Sequence, residues 1–125
     1  MGQLITTFSN ILGGIFRVSR FIKADMSGAS AQFVRDTIAQ NKVVIFSKSY
    51  CPYCTMAKEQ FKKLSFPFFT VELENREDCS QIQAVLGEMT GATSVPRVFV
   101  DGKFIGGGTD VKKLNETGEL QKLLQ

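Results

Sequence analysis

Val43-Val44-Ile45-Phe46-Ser47-Lys48-Ser49-Tyr50-Cys51-Pro52-Tyr53-Cys54 is the stretch around which the rest of the chain has to be arranged. Val43, Val44, Ile45 and Phe46 are four apolar residues in a row, the pattern of a short strand buried on both faces. A polar turn follows, then two cysteines three positions apart, then a helical pattern. Ala57, Phe61 and Leu64 fall on one helical face, while Lys58, Glu59, Lys62 and Lys63 fall on the other. The first turn of a helix carries unpaired N–H groups and the positive end of the backbone dipole, and both favour a thiolate over a thiol. Pro52 suits the first helical position, where its missing N–H costs nothing. Cys51 is then expected at the cap, its sulfur accepting from the N–H groups of Tyr53 or Cys54. Cys54 lies one turn in, less exposed and within disulfide reach. Cys51 is the expected nucleophile and Cys54 the resolving thiol.

Working outward, Phe33, Val34, Thr37 and Ile38 predict the inner face of a short helix that starts near Ser30 and ends near Asn41. Pro67 is expected to stop the Cys-x-x-Cys helix. Phe69, Val71 and Leu73 then alternate with Thr70 and Glu72 as a strand. Ser80 with Gln83 has capping-box spacing ahead of Ile82, Val85, Leu86 and Met89, an amphipathic helix closed by Gly91. Val95-Pro96 leads into Arg97-Val98-Phe99-Val100, and Asp101-Gly102 predicts a type I′ hairpin to Lys103-Phe104-Ile105. After Gly106-Gly107-Gly108, Thr109 and Asp110 are expected to cap a last helix through Val111 and Leu114, which Gly118 breaks. The order αβαβαββα predicts an α/β domain: two parallel strands from the β-α-β unit, an antiparallel hairpin beside them, and helices on both faces.

Composition sets the outer limits. The chain has 125 residues, 43% hydrophobic and 22% charged, enough for one domain with its own core. Three cysteines, two of them in one Cys-x-x-Cys, are not a disulfide framework and point to a reducing compartment. With no histidine, three cysteines cannot close a four-ligand zinc site without carboxylates or a second chain. The net charge of +3 resides in residues 1–24, where Arg17, Arg20 and Lys23 face no acid at all. The remainder is electrically balanced and shows no basic stripe with interleaved aromatics, so nucleic acid is excluded as a partner.

Residues 1–28 read as an extension and residues 29–125 as the domain. Leu4, Phe8, Ile11, Leu12, Ile15 and Ile22 share one helical face opposite Gln3, Asn10, Arg17 and Arg20, the profile of a mitochondrial presequence. Met1-Gly2-Gln3-Leu4-Ile5-Thr6 also fits the myristoylation pattern, with the basic residues as a second, weak membrane signal. The third reading is a plain extension of a cytoplasmic enzyme. Gly13-Gly14 and the arginines interrupt any apolar run long enough to span a bilayer.

Lys48-Ser49-Tyr50-Cys51-Pro52-Tyr53-Cys54 resembles the active site of the dithiol glutaredoxins, members of the thioredoxin-fold superfamily. The resemblance implies a thioredoxin-like fold, a four-stranded mixed sheet flanked by helices. It also implies glutathione as co-substrate, and glutathionylated or disulfide-bonded proteins as partners. In that family Lys48 and Gln83 would contact the glycine carboxylate of glutathione, with Tyr53 lining the site. The backbone of Val95, before an expected cis Pro96, would pair with the cysteinyl moiety, with Ser94 beside it. Gly108, Thr109 and Asp110 would receive the γ-glutamyl end, the three glycines letting the backbone come close to the ligand.

Most of these residues also have a plain alternative. Gln83 completes a capping box or binds ligand; Thr109 and Asp110 cap their helix, bind ligand, or do both; Pro96 is cis or an ordinary trans proline opening a strand. Relatives often carry Arg-Thr before Val-Pro, whereas this chain has Thr93-Ser94 and lacks that positive charge. Cys79, expected on a loop, stands outside the motif as an incidental thiol or a site of glutathionylation. Two rival activities remain: a thioredoxin-like disulfide reductase, and a module holding an iron–sulfur cluster between two chains through the nucleophilic cysteine and glutathione. The missing Trp argues against the first. Proline directly after the nucleophile is unfavourable for the second in this family, so a metal-free monomer is expected.

Overall fold

A computed structural model describes residues 23–125. The presequence, myristoylation and amphipathic-helix readings fall mainly on residues 1–22, outside the described residues. Among these residues five α-helices and four strands follow in chain order: α1 (Ala29–Gln40), β1 (Val43–Ser47), α2 (Pro52–Lys63), β2 (Phe69–Glu72), α3 (Cys79–Thr90), β3 (Arg97–Val100), β4 (Lys103–Gly106), α4 (Gly108–Glu116) and α5 (Glu119–Leu123). The strands form one sheet in the order β2-β1-β3-β4. β1 runs parallel to β2 and antiparallel to β3, and β3 turns antiparallel into β4. This is the mixed four-stranded sheet of a thioredoxin-like fold.

β1 is central, so all five of its residues are buried. Alternation along it divides the core into two layers. Val44 and Phe46 point to the side of α1 and α3, where Ala31, Val34, Ile82, Leu86 and Phe99 complete one cluster. Val43 and Ile45 point to the side of α2 and α4, meeting Ala57, Phe61, Val98, Val111 and Leu120. Phe46 and Phe99 meet edge to face with ring centroids 5.8 Å apart, a geometry worth about 0.5–1.5 kcal/mol beyond burial. On the other layer buried Gln60 accepts from Asn115 Nδ2 at 3.0 Å and donates to Met56 O at 3.1 Å, so its amide is satisfied where α2 meets α4.

Local signals set most element ends, with four departures from expectation. Asp101 and Gly102 take φ of 51° and 80°, as a type I′ turn requires. α2 ends at Lys63, ahead of Pro67, because Leu64 caps it and Ser65 turns left-handed with φ 53°. Leu73 leaves the second strand for a single 3-10 turn, Leu73–Asn75, which buries its side chain without extending the sheet. The capping box at Ser80 and Gln83 does not form: α3 starts at Cys79 behind Asp78, with no side-chain cap bond, and Ser80 is an exposed residue of its first turn. Arg76 and Asp78 account for the earlier start. The guanidinium binds both carboxylate oxygens at 2.8 and 3.2 Å, and Ser30 Oγ donates to the same carboxylate at 3.1 Å. Cys79 is accordingly helical rather than in a loop. α4 likewise begins two residues early, at Gly108 behind Gly107, so Thr109 is not its cap.

Candidate active site

β1 delivers the chain to the site. Its last residue, Ser47, is buried, and the turn that follows closes with Cys51 N–H donating to Lys48 O at 3.0 Å. Cys51 sits at the cap of α2 with φ −89° and ψ 121°, and Pro52 opens the helix. Cys51 is half-buried and Cys54 fully buried, both as free thiols. Lys48 N–H donates to Cys54 Sγ at 3.4 Å. On the outer side Ser49 offers its N–H and its hydroxyl to the Glu74 carboxylate, which anchors the turn to the 3-10 segment after β2.

The two thiols are driven apart in acidity. Burial is the largest single influence on Cys51 and opposes ionisation, but it is outweighed and the pKa falls below its ordinary value. The Cys54 N–H, the Cys54 thiol, the Tyr53 N–H and the Lys48 charge act together to lower it, in that order. Neither N–H reaches strict cap-bond geometry, so each acts as a nearby dipole. Burial pushes the Cys54 thiol up, against the Lys48 N–H and the neighbouring Ser47 hydroxyl, and the charge on Cys51 pushes it further. Ser47 Oγ is close enough to exert that influence yet has no full hydrogen-bond partner. The outward thiol is thus the more readily ionised of the two, and the one behind it is the harder to ionise.

The opposite wall is the segment before β3. The Val95-Pro96 peptide is cis, and Cys51 Sγ lies 3.9 Å from Val95 O. Ser94 is exposed beside it, and Ser94 Oγ accepts from Arg97 Nη2 at 3.3 Å. Gln83 reaches this segment from α3, its amide donating to Thr93 O at 2.8 Å, while its own carbonyl accepts from the Cys79 thiol at 3.4 Å. The third wall is the Gly106–Gly108 turn. Asp110 Oδ2 accepts from Gly107 N–H at 2.9 Å, the returning half of a capping box, and Thr109 is exposed next to it. Gly108 is buried against Tyr53, whose ring is more than half exposed beside Cys51.

The structure therefore brings Cys51 and Val95 together directly, with Tyr53 and Pro96 next to them in the chain. It joins Gln83, Ser94, Gly108, Thr109 and Asp110 to them through the two neighbouring segments. Lys48 holds its backbone at Cys54, and its ammonium has no carboxylate partner among the described residues. Among the three glycines, Gly106 and Gly108 answer to the protein itself. A Cβ on Gly106, at φ 128°, would stand 2.7 Å from Asp110 Oδ2, and one on Gly108 would stand 2.5 Å from Tyr53 O. Only Gly107 keeps its Cβ direction clear of contacts under 3.4 Å. Sequence reasoning passed over Glu74 and Arg97, which look like ordinary solvated charges, because both contacts depend on residues brought together by folding.

A thioredoxin-like domain with a thiol of lowered pKa at a helix cap, a buried partner thiol behind it and the Val95-Pro96 segment opposite has the site of a dithiol oxidoreductase of the thioredoxin superfamily. Residues 43–105 match the glutaredoxin family model. The chain is 48% identical over 103 residues to Glutaredoxin-C4 of Arabidopsis thaliana, covering 82% of this chain and 76% of that protein. It is 44% identical over 100 residues to "Glutaredoxin-2, mitochondrial" of Pongo abelii, covering 80% of this chain and 62% of that longer protein. Among solved structures, the buckwheat glutaredoxin–glutathione complex superposes with a TM-score of 0.73 at 38% identity, over 76% of this chain and 86% of that one. The chain belongs to the glutaredoxin family and is a glutathione-dependent oxidoreductase.

Proposed function

We propose that this protein removes glutathione from mixed disulfides through Cys51 alone, and reduces protein disulfides through Cys51 and Cys54 together. The observation that carries this reading is the split in acidity between the two thiols, with the outward one 3.9 Å from Val95 O. In the first reaction the Cys51 thiolate attacks the glutathionyl sulfur of a protein–glutathione disulfide. The old S–S bond breaks, and the protein leaves as a thiolate that takes a proton from solvent. A second glutathione, as thiolate, then attacks the glutathionyl sulfur on Cys51, releasing glutathione disulfide and restoring the Cys51 thiolate. In the second reaction Cys51 forms a mixed disulfide with the substrate protein. Cys54 gives up its proton, attacks Cys51 Sγ and displaces the substrate as a dithiol, and two glutathiones reopen the Cys51–Cys54 bond.

The glutathione site we propose uses three walls. The Val95 backbone pairs with the cysteinyl residue of the tripeptide, flanked by Ser94 and Pro96. The start of α4, with Gly108, Thr109 and Asp110, takes the γ-glutamyl end, where a helix N-terminus favours a carboxylate and Asp110 accepts from the ammonium. Lys48 and Gln83 take the glycine carboxylate, with Tyr53 lining the site. The named binding of glutathione by the buckwheat relative supports this assignment. The protein works as a metal-free monomer, and its location follows the fate of residues 1–28. Residues 1–24 cleaved as a presequence place it in mitochondria, as in the relative so named; acylated, they give it weak membrane contact; neither cleaved nor acylated, they leave it cytoplasmic. Intact mass from native tissue separates these outcomes.

Turnover of a glutathionylated peptide with glutathione and its reductase tests the division of labour. Cys54→Ser should keep most of this activity and lose reduction of a protein disulfide, whereas Cys51→Ser should lose both. Equal losses in the two variants would overturn the assignment.

A further inference from the structure

Arg97 opens β3 directly after the cis proline, and its guanidinium turns back over the segment it has just left. Nε donates to Pro96 O at 3.1 Å, Nη2 to Ser94 Oγ at 3.3 Å, and Nη1 to Thr90 Oγ1 at 3.4 Å. The guanidinium carbon lies 5.0 Å from the centroid of the Phe104 ring on β4. Nη2 also lies 3.7 Å from the point a Cβ on Gly107 would occupy, a point 3.5 Å from Pro96 O. One half-buried side chain thus touches the end of α3, the Ser94–Pro96 segment and β4, and reaches the turn that starts α4.

No carboxylate forms an ion pair with it among the described residues. A partly buried cation without a counter-charge costs free energy, so its retention needs a gain elsewhere. A lysine ammonium in the same place has a single point of attachment. The planar guanidinium has five donors in a rigid fork and a face that stacks on an aromatic ring, so it alone can hold these segments at once. The segments it joins are the two to which the proposed function assigns glutathione, the Val95 edge and the turn from Gly107 to Asp110. Their separation sets whether the cysteinyl and γ-glutamyl portions can be bound simultaneously.

We infer that Arg97 is a specificity-determining positioning residue, which fixes the spacing between the Val95 edge and the α4 turn so that the site prefers a glutathionyl over a smaller thiol adduct. This rests on the proposed glutathione site. The residue touches neither reacting sulfur; it acts through the backbone it holds. A misplacement of about an ångström in such a site can cost about a hundredfold in rate, so loss of part of the clamp should be readable in selectivity.

The experiment compares one peptide carrying either a glutathionyl or a cysteinyl mixed disulfide, with the full-length protein and its Arg97→Met and Arg97→Lys variants. The quantity read is the ratio of kcat/KM for the two adducts, together with Tm. The ratio should fall about tenfold in both variants. An unchanged ratio, with or without a lower Tm, overturns the inference and leaves Arg97 a structural residue. A ratio fully restored in Arg97→Lys also overturns it, because charge alone would then suffice. If the unaltered protein shows no preference for the glutathionyl peptide, the glutathione site itself fails, an outcome distinct from the other two.

Discussion

Gly108 and the Tyr53 carbonyl oxygen are in contact: a Cβ on Gly108 would lie 2.5 Å from that oxygen and 3.1 Å from Tyr53 Cβ. The start of α4 is therefore seated directly on the first turn of α2, the turn that lowers the pKa of Cys51. Gly108→Ala gains helix propensity, but the methyl group meets backbone that has no rotamer to yield. The expected result is a net loss of about 1–2 kcal/mol, seen as a lower Tm. Slower Cys51 alkylation at neutral pH should accompany it, as Tyr53 and Cys54 N–H are displaced.

The influences on Cys51 predict a ranking. Its alkylation rate should rise with pH around a midpoint below that of a free cysteine, since the folded pKa is lowered. Cys54 contributes both its N–H and its thiol, ahead of Tyr53, while the Lys48 charge comes last. Cys54→Ala removes the thiol donor and should move the midpoint up. Lys48→Met should move it up by less. A larger shift from the lysine would mean that long-range charge outweighs local donors.

How far the sequence reached depended on how local each signal was. β1 and the Cys-x-x-Cys helix were readable because an apolar run, a proline at the first helical position and a 3.6-residue spacing lie within twenty residues. The Asp101-Gly102 turn was readable because two left-handed residues in a hairpin demand that chemistry. α3 illustrates the opposite case. Ser80 and Gln83 have capping-box spacing, but Asp78 is held by Arg76 and by Ser30, 48 residues away, and Gln83 is drawn to Thr93 O. The glycine run signals close backbone approach without saying to what: Gly106 and Gly108 lie against Asp110 and Tyr53. Contacts made between distant segments leave no periodic trace.

That same Asp78 gives a pH-dependent prediction. Hydrogen bonding from Arg76 holds its carboxyl below the usual range; burial opposes this, while Ser30 and the Arg76 charge reinforce it. Arg76 also lies 3.9 Å over the Phe33 ring, so the cluster ties α1 to the start of α3. A carboxyl whose folded pKa is depressed adds stability that is fully present above the unfolded value of about 3.9 and is lost as pH falls through the folded one. Asp78→Asn should cost about 1 kcal/mol or less at pH 7, because the pair is partly exposed. Denaturant titrations at descending pH should show the gap between the two proteins closing below about pH 4. A gap independent of pH would assign the effect to shape rather than charge.

Glu74 offers a separate handle on the second thiol. Its carboxylate takes the Ser49 N–H at 3.3 and 3.2 Å, and the Ser49 hydroxyl as well. The preceding N–H, that of Lys48, donates to Cys54 Sγ at 3.4 Å, so the anchor at Ser49 also aims the donor at the resolving sulfur. That donor is the leading influence favouring Cys54 ionisation against burial. Glu74→Ala should free the turn, weaken the bond and make Cys54 harder to ionise when it must attack Cys51 Sγ. Reduction of a protein disulfide should slow on the order of fivefold, as the loss of one modest hydrogen bond to the resolving sulfur implies. Turnover of a glutathionylated peptide, which bypasses Cys54, should slow less. Stopped-flow measurement of both reactions in one variant decides the matter, since a general weakening of the fold lowers the two together and only a route through Cys54 separates them.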